Sequence, residues 1–246
     1  MLIIKPFIFK QYPEIVFGFS TKIGLNAGPP YYFNLSYSVG DEKEIVDSNR
    51  AIFFNELGLN EIMVGYQKQV HEDKINLVSA SGNCGESDAL ITTKMNLGLA
   101  ISSADCPAIF IYDPKEKVIA AVHSGWRGTE KKILWKTINK LKNDFNSDPS
   151  NLICYIGPSI SQKNYEVGED VATKFDKEFV SMDKNKYYLD VAGANYRMLI
   201  QEGVKRTNIQ KSALCTYEYE NLLHSYRRGG QISGRALGII AMKEKD

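Results

Sequence analysis

The sequence is poor in the side chains that bind transition metals. Its 246 residues include only three histidines and four cysteines. An oxidase with several copper centres needs about ten histidines, because imidazole is the protein ligand that suits copper best. Four cysteines in a chain of this length do not form the disulfide framework of a small secreted domain. A multicopper oxidase is therefore disfavoured, and a disulfide-stabilised scaffold is excluded.

The chain also lacks an excess of either charge and any long apolar run. Thirty lysines and arginines oppose 29 acidic residues, which leaves a net charge of +1. No overall field therefore attracts nucleic acid or a membrane surface. No stretch approaches the ~18 consecutive apolar residues of a membrane span, and no export signal follows Met1. We expect a cytoplasmic protein that binds neither nucleic acid nor membrane and keeps its cysteines reduced.

What is present is the composition of a globular protein, with 43% apolar and 24% charged residues. Segments with the patterns of strands and of helices alternate along the chain, but without a strict βαβ rhythm. This order favours an α+β fold with a mixed sheet over a parallel Rossmann core. The predicted strands are Ala108–Tyr112, Val118–Val122, Leu152–Ile156 and Leu237–Met242, and the predicted helices follow Asp41 and cover Gly128–Phe145 and Val191–Gly203.

Two of these strands bring possible reactive groups together. The turn that begins at Asp113 predicts that the strands on either side of it are neighbours in one sheet. Cys106, just before the first strand, and His123, at the end of the second, then lie near the same end of that sheet. His71 follows another apolar-leaning segment and can reach the same place. The sequence thus predicts a thiol and two imidazoles in one neighbourhood.

Three interpretations of this group remain open from the residues alone. One thiolate and two imidazoles can bind Zn²⁺ and leave a fourth position for water or substrate, as catalytic zinc sites do. Alternatively, Cys106 is a nucleophile activated by His123, with Asp105 or Asp88 orienting the histidine. The third interpretation is a buried thiol beside a hydrogen-bonded histidine, without a function of its own.

Several segments, in the same order along the chain, resemble the core motifs of the YfiH/YlmD family. They are Gln69–His71, Ala104–Pro107, His123–Gly128, Ile156–Ile160, Tyr165–Val167, Ser225–Arg228 and Gly234–Arg235. Each motif is weak alone, but together they are specific. Bacterial members and the related human protein FAMIN were long labelled polyphenol oxidases or laccases.

The resemblance implies a single catalytic domain over residues 1–246, a layered α/β/β/α sandwich with mixed sheets. It implies a Zn²⁺ ion bound by His71, Cys106 and His123. The implied activity is phosphorolysis of purine nucleosides (adenosine, inosine and S-methyl-5′-thioadenosine), with adenosine deamination as a side activity. The partners would then be nucleosides and phosphate, and the chain a monomer or homodimer.

For the implied phosphate substrate we expect arginine ligands, because the planar guanidinium group donates two parallel hydrogen bonds. Arg50 and Arg227 are the first candidates for phosphate binding, and Arg127 and Arg228 follow. Arg50 also has helical spacing among apolar residues, so an ion-pair role is equally compatible with its position.

The candidate catalytic residues are Cys106, His123, Asp105 and Arg50. Asp105 is expected to orient a histidine rather than to carry the proton itself. Three alternative functions are retained: a Cys–His amide hydrolase that edits a peptidoglycan precursor, a copper-dependent polyphenol oxidase, which the histidine count disfavours, and a metal-binding interaction module without turnover.

Overall fold

The computed structural model describes residues 1–24 and 28–244. The strands are β1 (Ile3–Ile4), β2 (Ile15–Ser20), β3 (Val64–Lys68), β4 (Ile75–Leu77), β5 (Gly82–Glu86), β6 (Ala89–Thr92), β7 (Gly98–Ser103), β8 (Ala108–Asp113), β9 (Val118–His123), β10 (Ile153–Ile156), β11 (Glu166–Val167), β12 (Val180–Asp183), β13 (Lys186–Leu189), β14 (Ile209–Lys211) and β15 (Ala236–Met242). The α-helices are α1 (Lys43–Glu56), α2 (Trp126–Glu130), α3 (Ile133–Phe145), α4 (Glu169–Ala172), α5 (Val191–Gln201) and α6 (Tyr226–Gly229). Within the described ranges, none of the helices has the length and apolar character needed to cross a membrane.

The strands form two large sheets and one small one. Sheet A has the order β1-β2-β15-β7-β3-β5, sheet B the order β14-β10-β8-β9-β6-β4, and sheet C the order β11-β13-β12. Both large sheets are mixed. In sheet A, β3 is parallel to β5 and β7, whereas β15 is antiparallel to β2 and β7. In sheet B, β8 and β9 are antiparallel, whereas β4 and β6 are parallel. The predicted mixed-sheet fold is confirmed, and the arrangement is not that of a Rossmann core.

Three apolar clusters show how the layers pack. The central cluster joins the inner faces of the two large sheets, with Phe17 and Leu99 from sheet A against Phe110 and Tyr155 from sheet B. The other face of sheet B is covered by α3 and α5, and the other face of sheet A by α1. Each fully buried Leu or Phe contributes roughly 1.5–3 kcal/mol to this packing. The order of layers is therefore α/β/β/α, as expected from the resemblance.

The predicted hairpin of β8 and β9 is present in the expected register. Ala108 pairs with His123 at one end, and Asp113 pairs with Val118 at the other. The Asp113 carboxylate closes the turn, because it accepts the main-chain N–H groups of Lys115 and Glu116 at 2.9 and 3.1 Å. The pairing brings the segment before Ala108 next to the ring of His123.

One predicted helix is divided in two. The pattern over Gly128–Phe145 predicts a continuous helix, but α2 ends at Glu130 and α3 begins at Ile133. Lys132 adopts a left-handed conformation with φ of 60°, which interrupts the α-helical hydrogen bonding between them. As a result α2 is a single short turn that directly follows Gly125.

The starts of the other two helices differ in how well they were predicted. Asp190 begins α5 as expected, and its carboxylate accepts the N–H of Gly193 at 2.7 Å. Asp41 is not the cap of α1. Glu42 occupies that position, and Asp41 binds the side chain of Asn34 at 2.9 Å.

Candidate metal centre

Side chains from three separate parts of the chain converge as the sequence predicts. His71, Cys106 and His123 each offer one ligand atom, and these three atoms lie within 4.8 Å of one another. The two imidazole rings meet edge to face, with their centroids 4.8 Å apart. His123 is buried, Cys106 is partly buried and His71 is exposed, so the group opens to solvent on one side. Ligand atoms of a tetrahedral zinc ion lie ~3.3–3.8 Å apart, so small side-chain adjustments would suffice to bind one.

The two large sheets supply these side chains jointly. His71 follows β3 of sheet A, Cys106 lies in the connection from β7 of sheet A to β8 of sheet B, and His123 ends β9 of sheet B. The connection is fixed by the hydroxyl of Ser103, which donates to the carbonyl oxygen of Cys106 at 2.6 Å. The amide group of Gln69 pairs with both the N–H and the C=O of Ser102, at 2.8 and 2.9 Å. These bonds tie the His71 segment and the Cys106 segment to the same strand.

Asp88 organises both histidines. Its carboxylate accepts the main-chain N–H groups of Val70, His71 and Glu72 at 3.2, 3.0 and 2.8 Å. It also accepts a hydrogen bond from Nδ1 of His123 at 2.8 Å, which leaves Nε2 of that ring as the nitrogen available to a ligand. His71 itself has a left-handed φ of 59°, a conformation that the three main-chain bonds hold in place.

The charges at this group favour an ion pair between thiolate and imidazolium. Burial alone would raise the pKa of Cys106, but the neighbouring His123 and His71 lower it to about 6. Burial alone would lower the pKa of His123, but Cys106 and Asp88 raise it to about 9. Burial likewise opposes ionisation of Asp88, yet its hydrogen bonds from His123 and from the main chain lower its pKa. A thiolate is the form of cysteine that binds metals and attacks substrates.

The expectation that Asp105 orients a histidine is wrong. Its two carboxylate oxygens accept the hydroxyl of Thr216 and the main-chain N–H of Arg227, both at 2.6 Å. Asp105 has a φ of 102°, which only tertiary contacts of this kind make tolerable for a residue other than glycine. Asp88 is the carboxylate that orients His123, and Asp105 instead attaches the start of α6 to the Cys106 segment.

Arg50 and Arg228 are engaged by the fold. Arg228 donates to the carbonyl oxygens of Thr216, Tyr217 and Leu223 at 2.8, 2.7 and 2.6 Å, which closes the loop before α6. Arg50 is buried and donates from Nε to the carbonyl oxygen of Leu35 at 2.8 Å. The remaining contacts of Arg50 are Glu61 at 3.5 Å and the rings of Tyr37 and Tyr66, at 4.1 and 4.6 Å from its guanidinium carbon. Among the described residues, none of these partners is a member of the His71–Cys106–His123 group.

Arg127 lies at the edge of that group. It stacks on Trp126, with 4.3 Å between the guanidinium carbon and the ring centroid. The preceding Gly125 lies directly against the thiol, because a Cβ at this position would be only 2.8 Å from Sγ of Cys106. Arg127 is exposed and lies two positions after this contact in the chain.

Arg227 approaches the group from α6. Its guanidinium carbon lies 5.1 Å from the ring centroid of Tyr165, and its Nη1 donates to the carbonyl oxygen of Glu166 at 2.9 Å. Burial raises the pKa of the Tyr165 hydroxyl, Cys106 raises it further, and Arg227 and Arg127 lower it. Tyr165 is therefore in contact with Arg227 and within electrostatic range of the thiol and of Arg127. Its place in a matched motif was visible in the sequence, but nothing in that motif assigned it a role.

The family is established by comparison with known proteins. A family model described as multi-copper polyphenol oxidoreductase laccase matches residues 16–243. The chain belongs to this family, which is the YfiH/YlmD family that the motifs predict. Copper is part of the family description, whereas this chain brings only two of its three histidines to the Cys106 group.

Curated relatives in this family carry a different activity in their names. The purine nucleoside phosphorylase of Corynebacterium glutamicum is 35% identical over 231 residues, which cover 90% of this chain and 92% of that protein. The purine nucleoside phosphorylase of Bacteroides thetaiotaomicron is 32% identical over 239 residues, with 89% and 88% covered. The crystal structure of YlmD from Geobacillus stearothermophilus matches with a TM-score of 0.90 at 27% identity, covering 96% of this chain and 94% of that chain.

Proposed function

We propose that this chain is a zinc-dependent purine nucleoside phosphorylase of the cytoplasm, with adenosine deamination as a side activity. The observation that carries the proposal is the convergence of His71, Cys106 and His123. Two exposed arginines are close in the chain to residues that contact this group or its neighbours: Arg127 follows Gly125, which lies against Cys106, and the main chain of Arg227 is bonded to Asp105. The names of the two curated relatives support the reaction class. We also propose that residues 1–246 act as one catalytic domain, which the span of the family match supports.

The donor set fits zinc. One thiolate and two neutral imidazoles are three protein ligands, and the exposed side of the group leaves room for a fourth. The hydrogen bond from His123 to Asp88 is the kind that fixes a metal-binding histidine in orientation. The third histidine, His224, is buried with Nε2 near the carbonyl oxygen of Phe33 at 3.3 Å, so it does not extend the group toward a copper cluster. When bound, zinc would act as a Lewis acid and would activate the water that a deamination requires.

The protein residues would divide the remaining work of phosphorolysis. Arg127 and Arg227 would bind phosphate through guanidinium donors and keep it near the Cys106 group. Asp105 would act as a positioning residue, because its bond to the main chain of Arg227 fixes where α6 begins. Arg50 as a phosphate ligand stays a prediction.

The test is a phosphate-dependent assay with purified protein. Inosine and phosphate should give hypoxanthine and ribose 1-phosphate, and adenosine without phosphate should give inosine slowly. The variant Cys106→Ala should lose both activities, whereas Cys84→Ala, a partly buried cysteine outside the group, should retain them. No turnover by metal-loaded wild type, or equal turnover by Cys106→Ala, would refute the proposal.

A second function is favoured by one observation. The pKa of Cys106 is lowered, the pKa of His123 is raised, and His123 is hydrogen-bonded to Asp88. These are the properties of a nucleophile, its base and the carboxylate that orients the base. This arrangement suits an amide hydrolase, for which a peptidoglycan precursor is the candidate substrate. Chelation separates the two functions, because it should abolish phosphorolysis and leave a cysteine hydrolase active. A metal-loaded protein that performs neither reaction would be a binding module.

A further inference from the structure

Three arginines that stack on aromatic rings lie on segments that contact the Cys106 segment or the end of β7 before it. The three pairs are Arg127 with Trp126 at 4.3 Å, Arg227 with Tyr165 at 5.1 Å and Arg235 with Tyr226 at 5.3 Å. An aromatic face holds a guanidinium group in place and leaves the N–H groups at its edge free to donate. Arg235 belongs to a matched motif, but it has no role in the function proposed above.

The sheet register brings Arg235 to the same place as the other two. Arg235 immediately precedes β15, whose first residue, Ala236, pairs with Ser103 of β7. Ser103 in turn donates its hydroxyl to the carbonyl oxygen of Cys106. The electrostatics agree with this placement, because burial lowers the pKa of Arg235 while Asp105 and Cys106 raise it. Arg235 is also partly buried, whereas Arg127 and Arg227 are exposed.

Among the described residues, none of these three guanidinium groups forms an ion pair with a carboxylate. Arg235 donates from Nη1 to the carbonyl oxygens of Ser233 and Gly234, at 2.5 and 3.1 Å, and its Nε and Nη2 make no hydrogen bond within the described ranges. By contrast, Arg197 is paired with Glu178 at 2.7 Å. The guanidinium groups therefore keep N–H donors that no carboxylate occupies within the described ranges, and a bound anion can accept hydrogen bonds from them.

We propose that Arg235 is a phosphate-binding residue, the innermost of the three guanidinium groups that hold the phosphate co-substrate beside Cys106. This inference rests on the proposed phosphorylase function and adds to it a residue outside the four arginines considered from the sequence. Its partly buried position gives Arg235 a less hydrated environment than Arg127 or Arg227, so its bonds to a dianion are the strongest of the three.

Direct binding tests the proposal without any turnover. Inorganic phosphate is titrated calorimetrically into metal-loaded wild type, Arg235→Gln and Arg235→Lys. The matched control is Arg206→Gln, which removes an exposed arginine from the turn at Arg206–Asn208. We expect Arg235→Gln to weaken phosphate binding by about tenfold or more, Arg235→Lys to weaken it less, and Arg206→Gln to change it by less than about twofold.

Metal content and circular dichroism are measured on every variant to detect folding defects. If Arg235→Gln is misfolded, the phosphate affinity of Arg235→Lys tests the proposal instead. Unchanged phosphate binding in both Arg235 variants, or no phosphate binding by wild type, overturns the proposal. A second titration with inosine 5′-monophosphate distinguishes the source of the phosphate group. If the nucleotide binds and inorganic phosphate does not, the arginines hold the substrate's own phosphate, and the co-substrate assignment is wrong.

The kinetic arm separates this inference from the proposed function. If wild type is a phosphorylase, Arg235→Gln should raise KM for phosphate by about tenfold and leave KM for inosine nearly unchanged. If wild type binds phosphate through Arg235 but forms no ribose 1-phosphate, the anion site stands and the proposed reaction fails.

Discussion

The carboxylate of Asp88 lies 2.8 Å from Nδ1 of His123 and 3.0 Å from the main-chain nitrogen of His71. It therefore controls two of the three candidate metal ligands by different routes. For His123 it fixes the orientation of the ring, and for His71 it fixes the backbone that carries the ring. Cys106 is the only member of the group that this carboxylate does not contact within the described ranges.

Replacing Asp88 should weaken metal binding more than it weakens the fold. In Asp88→Asn the amide nitrogen cannot accept hydrogen bonds, so either His123 or the main chain of the His71 segment loses its partner. We expect metal affinity to fall by about 10–100-fold, measured by competition with a chelator. The control is Asp113→Asn, which removes a buried carboxylate that caps the distant turn of the same sheet. Equal metal affinity in the two variants would contradict the role of Asp88.

The pH dependence of Cys106 reactivity should reveal its neighbours. In metal-free protein the rate of alkylation by iodoacetamide should rise through a midpoint near pH 6, because His123 and His71 lower the pKa of this thiol to about 6. Burial raises the pKa of Cys84, so that thiol should react slowly at neutral pH and serves as the internal control. The readout is the mass of the two cysteine peptides after timed quenching. A midpoint for Cys106 above pH 8 would show that the imidazoles do not act on it.

Metal affinity should depend on pH, because the metal and protons compete for the same ligand atoms. Metal binding requires a thiolate and neutral imidazoles, so affinity should already decline below about pH 9 as His123 is protonated, and more steeply below about pH 6 as Cys106 is protonated. The measurement is equilibrium dialysis with zinc at a series of pH values. Constant affinity between pH 7 and pH 5 would exclude Cys106 as a ligand.

Glu14 should stabilise the fold in a way that acid removes. It accepts hydrogen bonds from the hydroxyl of Tyr112 at 2.7 Å and from Nζ of Lys117 at 3.1 Å. Burial opposes its ionisation, but these bonds prevail and lower its pKa from the ordinary value of 4.5 to about 2. A carboxyl group whose pKa is lower in the folded state contributes stability above its ordinary pKa and loses it as the pH falls through the folded value.

We therefore expect Glu14→Gln to lower the free energy of unfolding by ~1–3 kcal/mol at pH 7, and this difference to vanish near pH 2. Lys117 is half-exposed, so solvent screening keeps its share small. Denaturant titrations at several pH values provide the measurement. The exposed Glu220→Gln is the control and should change stability by less than ~0.5 kcal/mol. An effect of Glu14→Gln that is independent of pH would contradict the assignment.

Gly125 should be required for space rather than for backbone conformation. Its φ of −65° suits any residue, but a Cβ would lie 2.8 Å from Sγ of Cys106. Gly125→Ala should therefore displace the thiol and lower metal affinity by about tenfold or more, with little change in secondary structure. Gly28→Ala is the control, because a Cβ at that position contacts nothing within 4 Å. Wild-type metal affinity in Gly125→Ala would show that the thiol can move without consequence.

The parts of the site that lie on regular strands could be predicted from the sequence. Alternation and a turn signal were sufficient to pair β8 with β9, and that register alone placed Cys106 near His123. The apolar-leaning segment before His71 indicated that this residue could reach the same place, the resemblance made it a metal ligand, and the structure brings all three side chains together. The order of strands and helices was sufficient to predict a mixed sheet, whereas the layered α/β/β/α arrangement was predicted from the family resemblance.

The errors arose where a distant residue determines a local conformation. Asp105 and Asp88 were both candidates for orienting a histidine, but the partner of Asp105, Thr216, lies 111 positions away and no local pattern indicates that contact. Lys132 interrupts a helix whose apolar periodicity continues without a break. The bonds of Arg228 to three loop carbonyls are equally invisible in a sequence, since every acceptor is main chain.

The division of the three ligands between two sheets has a mechanical consequence. An ion bound by His71, Cys106 and His123 would cross-link sheet A to sheet B at the end where the connection after β7 passes between them. Opening the sandwich at that end would then require the ion to leave first, since a partly opened site cannot keep all three bonds. The bound metal would thus slow the separation of the sheets and lengthen the lifetime of the folded protein, even under conditions where catalysis is idle.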